Sequence, residues 1–240
     1  MKLYLMLLGT LTPHGIPVPG YVVQTDDGTN ILIDSGFPQS FITHPPDPAL
    51  LGGLGVNVRP EDSVVSRLAG IGLAPGDINI LIATHFDLDH AGSHDLFANA
   101  EMVVQRSHYE VARAGHARAA IIRAHWDRPA ERIRLVDGDT TLLPGIDLIE
   151  TSGHVVGHQG VLVRLPDTGP VLLAIDAVPA ASFSDPDTRA MLPVDEDEAV
   201  VRASTRKLAD IAKREGVTLT VYGHDTAQWP TLRHAPAFYS

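Results

Sequence analysis

Apolar residues open the chain in short β-rich runs at 2–8, 20–25 and 30–34. The last two are separated by Asp26-Asp27-Gly28-Thr29, a sequence suited to a hairpin turn. Residues 35–60 break the pattern with five prolines and with Gly52, Gly53 and Gly55. This predicts a long irregular loop, a feature that is usually functional or mobile in a compact domain. Residues 61–70 predict a short helix closed by Gly70. After the turn at 74–77, the run 78–84 predicts a buried strand that leaves His85 at its C-terminal end. A second helix is expected to begin near His90, a strand at 102–105 and broken helix over 107–126.

Strand patterns return at 132–135, 147–151, 160–165 and 171–175. Asp195 is placed to cap a long helix reaching about Glu215, with Val201, Leu208, Ile211 and Ala212 as its apolar stripe. Gly216 ends that helix, and 217–222 predicts a last strand leading into Gly223-His224-Asp225. Two runs of strands, each followed by helices, predict an α/β (α+β) fold in one domain over 1–240. Two packed sheets with helices outside cover such elements most simply.

Composition narrows the picture. At 240 residues and 44% hydrophobic content the chain can bury a sizeable core. No apolar run reaches the 18 residues that would suggest a membrane span. The apolar start is short and lacks a cleavage signal, so it reads as a strand and favours a cytoplasmic protein. The absence of cysteine excludes disulfides, thiolate nucleophiles and Cys-ligated metal sites. A formal net charge of −11 repels polyanions and argues against nucleic acid as a partner.

Candidate chemistry concentrates at His85-Phe86-Asp87-Leu88-Asp89-His90. Imidazole and carboxylate ligate zinc, iron, manganese or cobalt. In an extended chain residues 85, 87 and 89 fall on one side, and a turn into helix brings 90 beside 89, so four donors can converge on two nearby ions. A polar loop with solvated acids would account for one His/Asp pair but not for four donors within six residues. Three later segments place a donor just beyond an apolar strand: His154 in Gly153-His154-Val155-Val156-Gly157-His158-Gln159, Asp176 after 171–175, and His224 after 217–222. Together these supply four His and three Asp, enough for a two-metal site. Ser35, Ser152 and Ser184 lack a nucleophile-elbow context, and no glycine-rich phosphate loop is present.

The order HxxxDH, GHxxGHQ, a strand-end Asp and GHD resembles the metallo-β-lactamase superfamily, and within it the N-acyl-homoserine lactonases. The resemblance runs through ILIDSG, ATHFDLDHAG, VVQRSHYE, SGHVVGHQ, VLLAIDA and YGHDTAQ, almost the whole chain. It implies a four-layer αβ/βα sandwich of two mixed sheets with the site at one edge. It also implies that His85, Asp87 and His154 hold one divalent ion, that Asp89, His90 and His224 hold a second, and that Asp176 bridges them. Zinc is the expected metal, with manganese or iron as alternatives because of Asp87. A hydroxide between the ions would open a small-molecule lactone, and Asp89 would carry its proton to the ring oxygen. A homodimer is compatible with this reading.

Two positions depart from the family pattern. A second histidine is usual where this chain has Asp87. Two divalent ions, two carboxylates and a hydroxide sum to one positive charge; a third carboxylate brings the sum to zero and favours harder ions. Shortly beyond the bridging aspartate the lactonases often have a tyrosine, whereas here the chain reads Ala177-Val178-Pro179. Another ester or thioester hydrolase of the same fold is therefore the alternative, ahead of a diiron oxidoreductase or a binding protein with a dead site. His158 reads equally as a support for a ligand or as a surface residue, and Asp34 as a site neighbour or a turn cap. His94, His108, His116 and His125 are expected to face solvent. Phe37, Phe41, Leu50, Leu51 and Leu54 either wall an acyl pocket or cover the core or a dimer contact.

Overall fold

The computed structural model describes residues 1–240. In chain order its strands and helices are β1 (Lys2–Thr12), β2 (Ile16–Gln24), β3 (Asn30–Ile33), β4 (Gly55–Asn57), α1 (Val64–Ala69), β5 (Ile80–Ile82), α2 (Leu88–Ala91), β6 (Glu101–Gln105) and α3 (Arg106–Arg113). There follow α4 (Ala117–Ile121), α5 (Arg123–Trp126), β7 (Ile133–Val136), β8 (Thr140–Leu143), β9 (Ile146–Glu150), β10 (Gln159–Leu165), β11 (Gly169–Ile175), α6 (Glu198–Glu215) and β12 (Leu219–Tyr222).

Seven strands form one sheet in the order β4-β1-β2-β3-β5-β6-β7, and five form a second in the order β12-β11-β10-β9-β8. Period-2 alternation explains how the sheets stack. Leu3, Leu5, Val23, Ile31 and Ile33 of the first sheet pack with Leu148, Val161, Val163, Leu173 and Val221 of the second. Their neighbours Tyr4, Met6, Val22 and Leu32 face the opposite way and pack with Leu68, Ala112 and Trp126 of the outer helices. On the far face of the second sheet, Ile149, Leu162 and Leu172 pack against Leu208 and Ile211 of α6. The result is four layers, helix–sheet–sheet–helix, as the resemblance implied.

Several elements differ from expectation. β1 and β2 run on to 12 and back to 16, because the pairs Thr10↔Pro17 and Leu11↔Ile16 continue the hairpin past Gly9, Pro17 and Pro19. Residues 35–60 are less irregular than predicted: β4 pairs with β1, and short 3-10 turns occupy Gln39–Ile42 and Pro48–Leu51. Phe37 is buried there, and Phe41, Leu51 and Leu54 pack against the same cluster, which favours core covering over a pocket wall. The cap of α6 is Asp197, whose side chain accepts from Val200 N, and not Asp195.

Candidate metal centre

The donors stand where strands of both sheets end. Ala83, Thr84 and His85 follow β5; Asp176 directly follows β11, and His224 follows β12 after Gly223. In the segment between His85 and α2, side chains alternate as an extended chain dictates. Phe86 is fully buried and stacks on Trp126 with ring centroids 4.6 Å apart, and Leu88 is buried as well. Asp87 thereby points to the donor side. One turn of helix then presents Asp89 and His90 together.

Backbone strain helps to aim the donors. Asp34 and Ile175 are the two non-glycine residues with positive φ, at 57° and 50°. A β-branched residue in that region is costly, at about 1–3 kcal/mol, and tends to mark a functional site. Ile175 directly precedes Asp176. Asp34 turns its carboxylate under the site, where Oδ2 accepts from Thr84 Oγ1 at 2.7 Å and from His90 Nδ1 at 2.8 Å. Gly223 leaves room for this arrangement, since a Cβ there would lie 2.5 Å from Ile175 O and 3.0 Å from Asp176 Oδ1.

Two triads result, with one carboxylate between them. Asp87 Oδ2 lies 3.5 Å from His85 Nε2 and 3.3 Å from His154 Nε2. Asp89 Oδ2 lies 3.7 Å from His90 Nε2 and 3.8 Å from His224 Nε2. Asp176 divides its two oxygens: Oδ2 is 3.5 Å from His154 Nε2, whereas Oδ1 is 3.4 Å from His90 Nε2 and 3.0 Å from His224 Nε2. All seven sequence-predicted residues therefore meet, in the groups His85/Asp87/His154, Asp89/His90/His224 and His85/His90/Asp176.

Each imidazole is tied at Nδ1, which leaves Nε2 for the centre. His85 bonds Thr84 Oγ1 at 2.9 Å, His90 bonds Asp34, His154 bonds Asp195 Oδ1 at 3.1 Å, and His224 bonds Pro17 O at 2.8 Å. A carbonyl or carboxylate can only accept, and the Thr84 hydroxyl already donates to Asp34, so Nδ1 carries the proton of each neutral ring and its Nε2 lone pair faces inward. Such support is characteristic of metal-binding histidines. Buried His85 Nε2, His90 Nε2 and Asp176 Oδ1 have no hydrogen-bond partner. Buried polar atoms are rarely left orphaned, and imidazole nitrogens that converge with carboxylate oxygens in this way fit a pair of cations. The side chains of Asp87, Asp89, Asp176 and His224 retain 11–15% exposure, so one side of the centre is open to solvent.

Titration behaviour follows from burial and from these neighbours. Burial, with His90 nearby, lowers the His85 pKa to about 3. Burial also opposes the charge on His154, but Asp195 and Asp87 outweigh it and raise its pKa to about 9. For His90 too, burial is outweighed by Asp176 and Asp89, and the pKa rises well above the usual value. Asp176 is buried, yet His224 and His90 hold its carboxyl well below the usual range.

The supporting residues were only partly legible. His158 does more than sit at the surface: it is buried, its Nδ1 donates to Thr151 Oγ1 at 2.8 Å, and its Nε2 accepts from Asp176 N at 3.3 Å. His94 and His108, expected in solvent, are fully buried. His108 Nε2 accepts from Phe86 N at 2.8 Å and so braces the donor segment, while His94 pairs with Ser35 Oγ at 2.7 Å. His116 and His125 are only partly covered and pair with Glu196 and Asp95. Asp195 is a ligand support, itself joined to buried Arg189 at 3.2 Å. Arg118 also reaches the site, 3.1 Å from Asp87 Oδ2. Nothing in the local sequence ties Arg118 or Asp195 to this site, because Asp87 and His154 lie far along the chain from them.

The pattern of the metallo-beta-lactamase superfamily matches residues 15–224. An N-acyl homoserine lactonase, AttM, from Rhizobium johnstonii is 32% identical over 100% of this chain and 99% of its own. Another, from Bacillus thuringiensis, is 30% identical over 95% of this chain and 90% of its own. The chain belongs to the metallo-β-lactamase superfamily, in its N-acyl homoserine lactonase family. A solved lactonase of this family, an N-acyl homoserine lactone hydrolase with N-hexanoyl-L-homoserine at its catalytic metal centre, superposes with a TM-score of 0.85. The match covers 99% of this chain and 98% of that one at 27% identity. The lactonase fold accounts for the position of the donors at one edge of the sandwich.

Proposed function

We propose that this protein is a dinuclear metal-dependent hydrolase that opens the ring of N-acyl-homoserine lactones. The observation that carries the reading is Asp176, whose two oxygens are shared between two His/Asp triads. Family membership and the product-bound structure of a relative support it. His85, Asp87 and His154 would hold one ion and Asp89, His90 and His224 the other, with Asp176 common to both. Zinc suits the histidines, and Asp87 extends the choice to manganese or iron. When bound, the two ions supply Lewis acidity and ionise a water at neutral pH.

The chain's own residues do the rest. Asp176 fixes the spacing of the two triads, and its backbone N–H is steadied by His158. Asp89, on the solvent-open side, takes the proton of the attacking water and delivers it to the ring oxygen as the C–O bond breaks. Val156 and Val194, both about half exposed, offer apolar surface beside His154 and Asp195 for an acyl chain. A tyrosine hydroxyl is not available after Asp176, where Ala177 and Val178 are buried. The Tyr21 hydroxyl lies in the core, closed to substrate. That difference favours a test across ester types.

Protein loaded with zinc or manganese should release acid from a panel of N-acyl-homoserine lactones of varied chain length, and chelation should abolish the release. Thioesters run in parallel distinguish the alternative hydrolase. No lactone turnover at any chain length by metal-replete protein would sink the reading.

A further inference from the structure

The two triads differ in the charges packed against them. Asp87 faces the guanidinium of Arg118, with Nη1 3.1 Å from the same Oδ2 that points at His85 and His154. That cation is not held by Asp87 alone. Nη1 donates to Val194 O at 2.9 Å and Nη2 to His154 O at 3.0 Å, so two backbone carbonyls fix it in place. Glu196 lies 3.6 Å from Nη2, but its carboxylate is also taken by His116 at 2.6 Å. Behind His154 the carboxylate of Asp195 is matched by Arg189 at 3.2 Å. Around the first triad, then, Asp87 and Asp195 are offset by Arg118 and Arg189.

Around the second triad no arginine or lysine meets the carboxylates. Asp89 pairs only with His90 and His224. Asp34, behind His90, meets Thr84 and His90 but no arginine or lysine. In the first triad, therefore, the donor carboxylate Asp87 is itself paired with a guanidinium, whereas in the second neither Asp89 nor Asp34 meets an arginine or lysine. A divalent cation is drawn to the second triad and is opposed at the first by a fixed guanidinium beside its ligand oxygen.

We infer that the two ions load in sequence, the first at Asp89/His90/His224 and the second, more weakly, at His85/Asp87/His154, and that Arg118 sets the difference. The inference rests on the two-ion reading above and adds which site is weak and why. Arg118 touches a ligand rather than the reacting atoms, so it is a positioning residue that also tunes affinity. Loss of a neighbour that supports a metal ligand commonly lowers affinity on the order of 10- to 100-fold; loss of a cation that opposes the metal acts in the other direction.

Calorimetric or dialysis titration of chelator-stripped, full-length protein with zinc alone reads this directly. Wild type should show one tight ion and one at least about tenfold weaker. Asp89→Ala should remove the tight class and Asp87→Ala the weak one. Arg118→Gln should tighten the weak class by about tenfold, as relief of the repulsion between a guanidinium and a divalent ion requires, and leave the tight class in place, whereas Arg118→Lys should keep the gap. Misfolding cannot mimic this result, since damage to the loop that Arg118 ties down would only loosen metal. Two equally tight ions in wild type, or an Arg118→Gln protein whose weak class stays the same or loosens, overturns this inference alone. A wild type that takes up fewer than two ions overturns the two-ion reading with it.

Discussion

Asp89 and Asp195 show how the same side chain serves different ends at this site. Asp89 stands in the second triad with its carboxylate partly open to solvent, and the proposed mechanism gives it the proton relay. Asp89→Asn should lower kcat by about 10²- to 10⁴-fold, the usual range for a lost general acid–base group. Metal content measured alongside kcat separates that loss from emptying of the second triad. Asp195 holds the ring of His154 by its Nδ1 proton and touches no reacting group. Asp195→Asn should weaken metal binding on the order of 10- to 100-fold, read by competition with a chromophoric chelator. Replacing Arg189 leaves the buried Asp195 carboxylate without its guanidinium partner, held only by His154 and the Leu192 backbone. Arg189→Met is thus expected to cost about 3–5 kcal/mol of stability, measurable by denaturant unfolding.

At the scale of elements, the site depends on strand ends and on the turns that follow them. Gly223 joins β12 to His224 and passes close to Ile175 and Asp176. A methyl group at 223 would press on backbone, which cannot move aside as a flexible side chain can. Gly223→Ala should therefore displace Asp176 and His224 together and reduce metal stoichiometry, measured on purified protein by elemental analysis. By contrast α6 lies on the far face of the second sheet and is anchored by its own cap. Asp197→Ala should cost about 0.5–2 kcal/mol in thermal unfolding and leave metal content unchanged. Element positions were readable wherever an apolar run ended in a turn, as for β5, β10 and β11. They were not readable at residues 9–19, where glycine and proline suggest a break but cross-strand pairing continues.

Over the whole molecule, six buried histidines and the partly exposed His224 govern how the metal-free protein responds to pH. His85 and His108 are pushed down by burial, to about 3 and about 4, and His94 and His158 also lie well below the usual 6.5. As pH falls below about 6.5 the unfolded chain takes up protons that these groups refuse, so stability declines with acid. His90, His154 and His224 are raised, His154 to about 9. Their contribution is complete below 6.5 and is lost as pH rises through the folded values. The melting temperature of chelator-treated protein should therefore peak near pH 6.5 and fall on either side. Metal should raise it most at alkaline pH, where the imidazoles are already free of protons and the cations meet no competitor. A flat melting profile from pH 5 to 9 would contradict these assignments.

The sequence by itself assembled the candidate donor set. Four candidate donors in six residues, and three more each placed just beyond an apolar run, stand out because ligand type and strand-end position are local properties. The alternation that buries Phe86 and Leu88 and turns out Asp87 is local as well, and so are the runs that build two sheets. Only the tertiary structure decided what surrounds those donors. Asp195 looked like a helix cap and His94 and His108 like surface residues, because a side chain's partner can lie dozens of positions away. Arg118, thirty-one positions beyond Asp87, is one more charge on a short helix until the fold carries it to a ligand oxygen. Burial and long-range charge are properties of the packed chain, and they decide how each donor behaves.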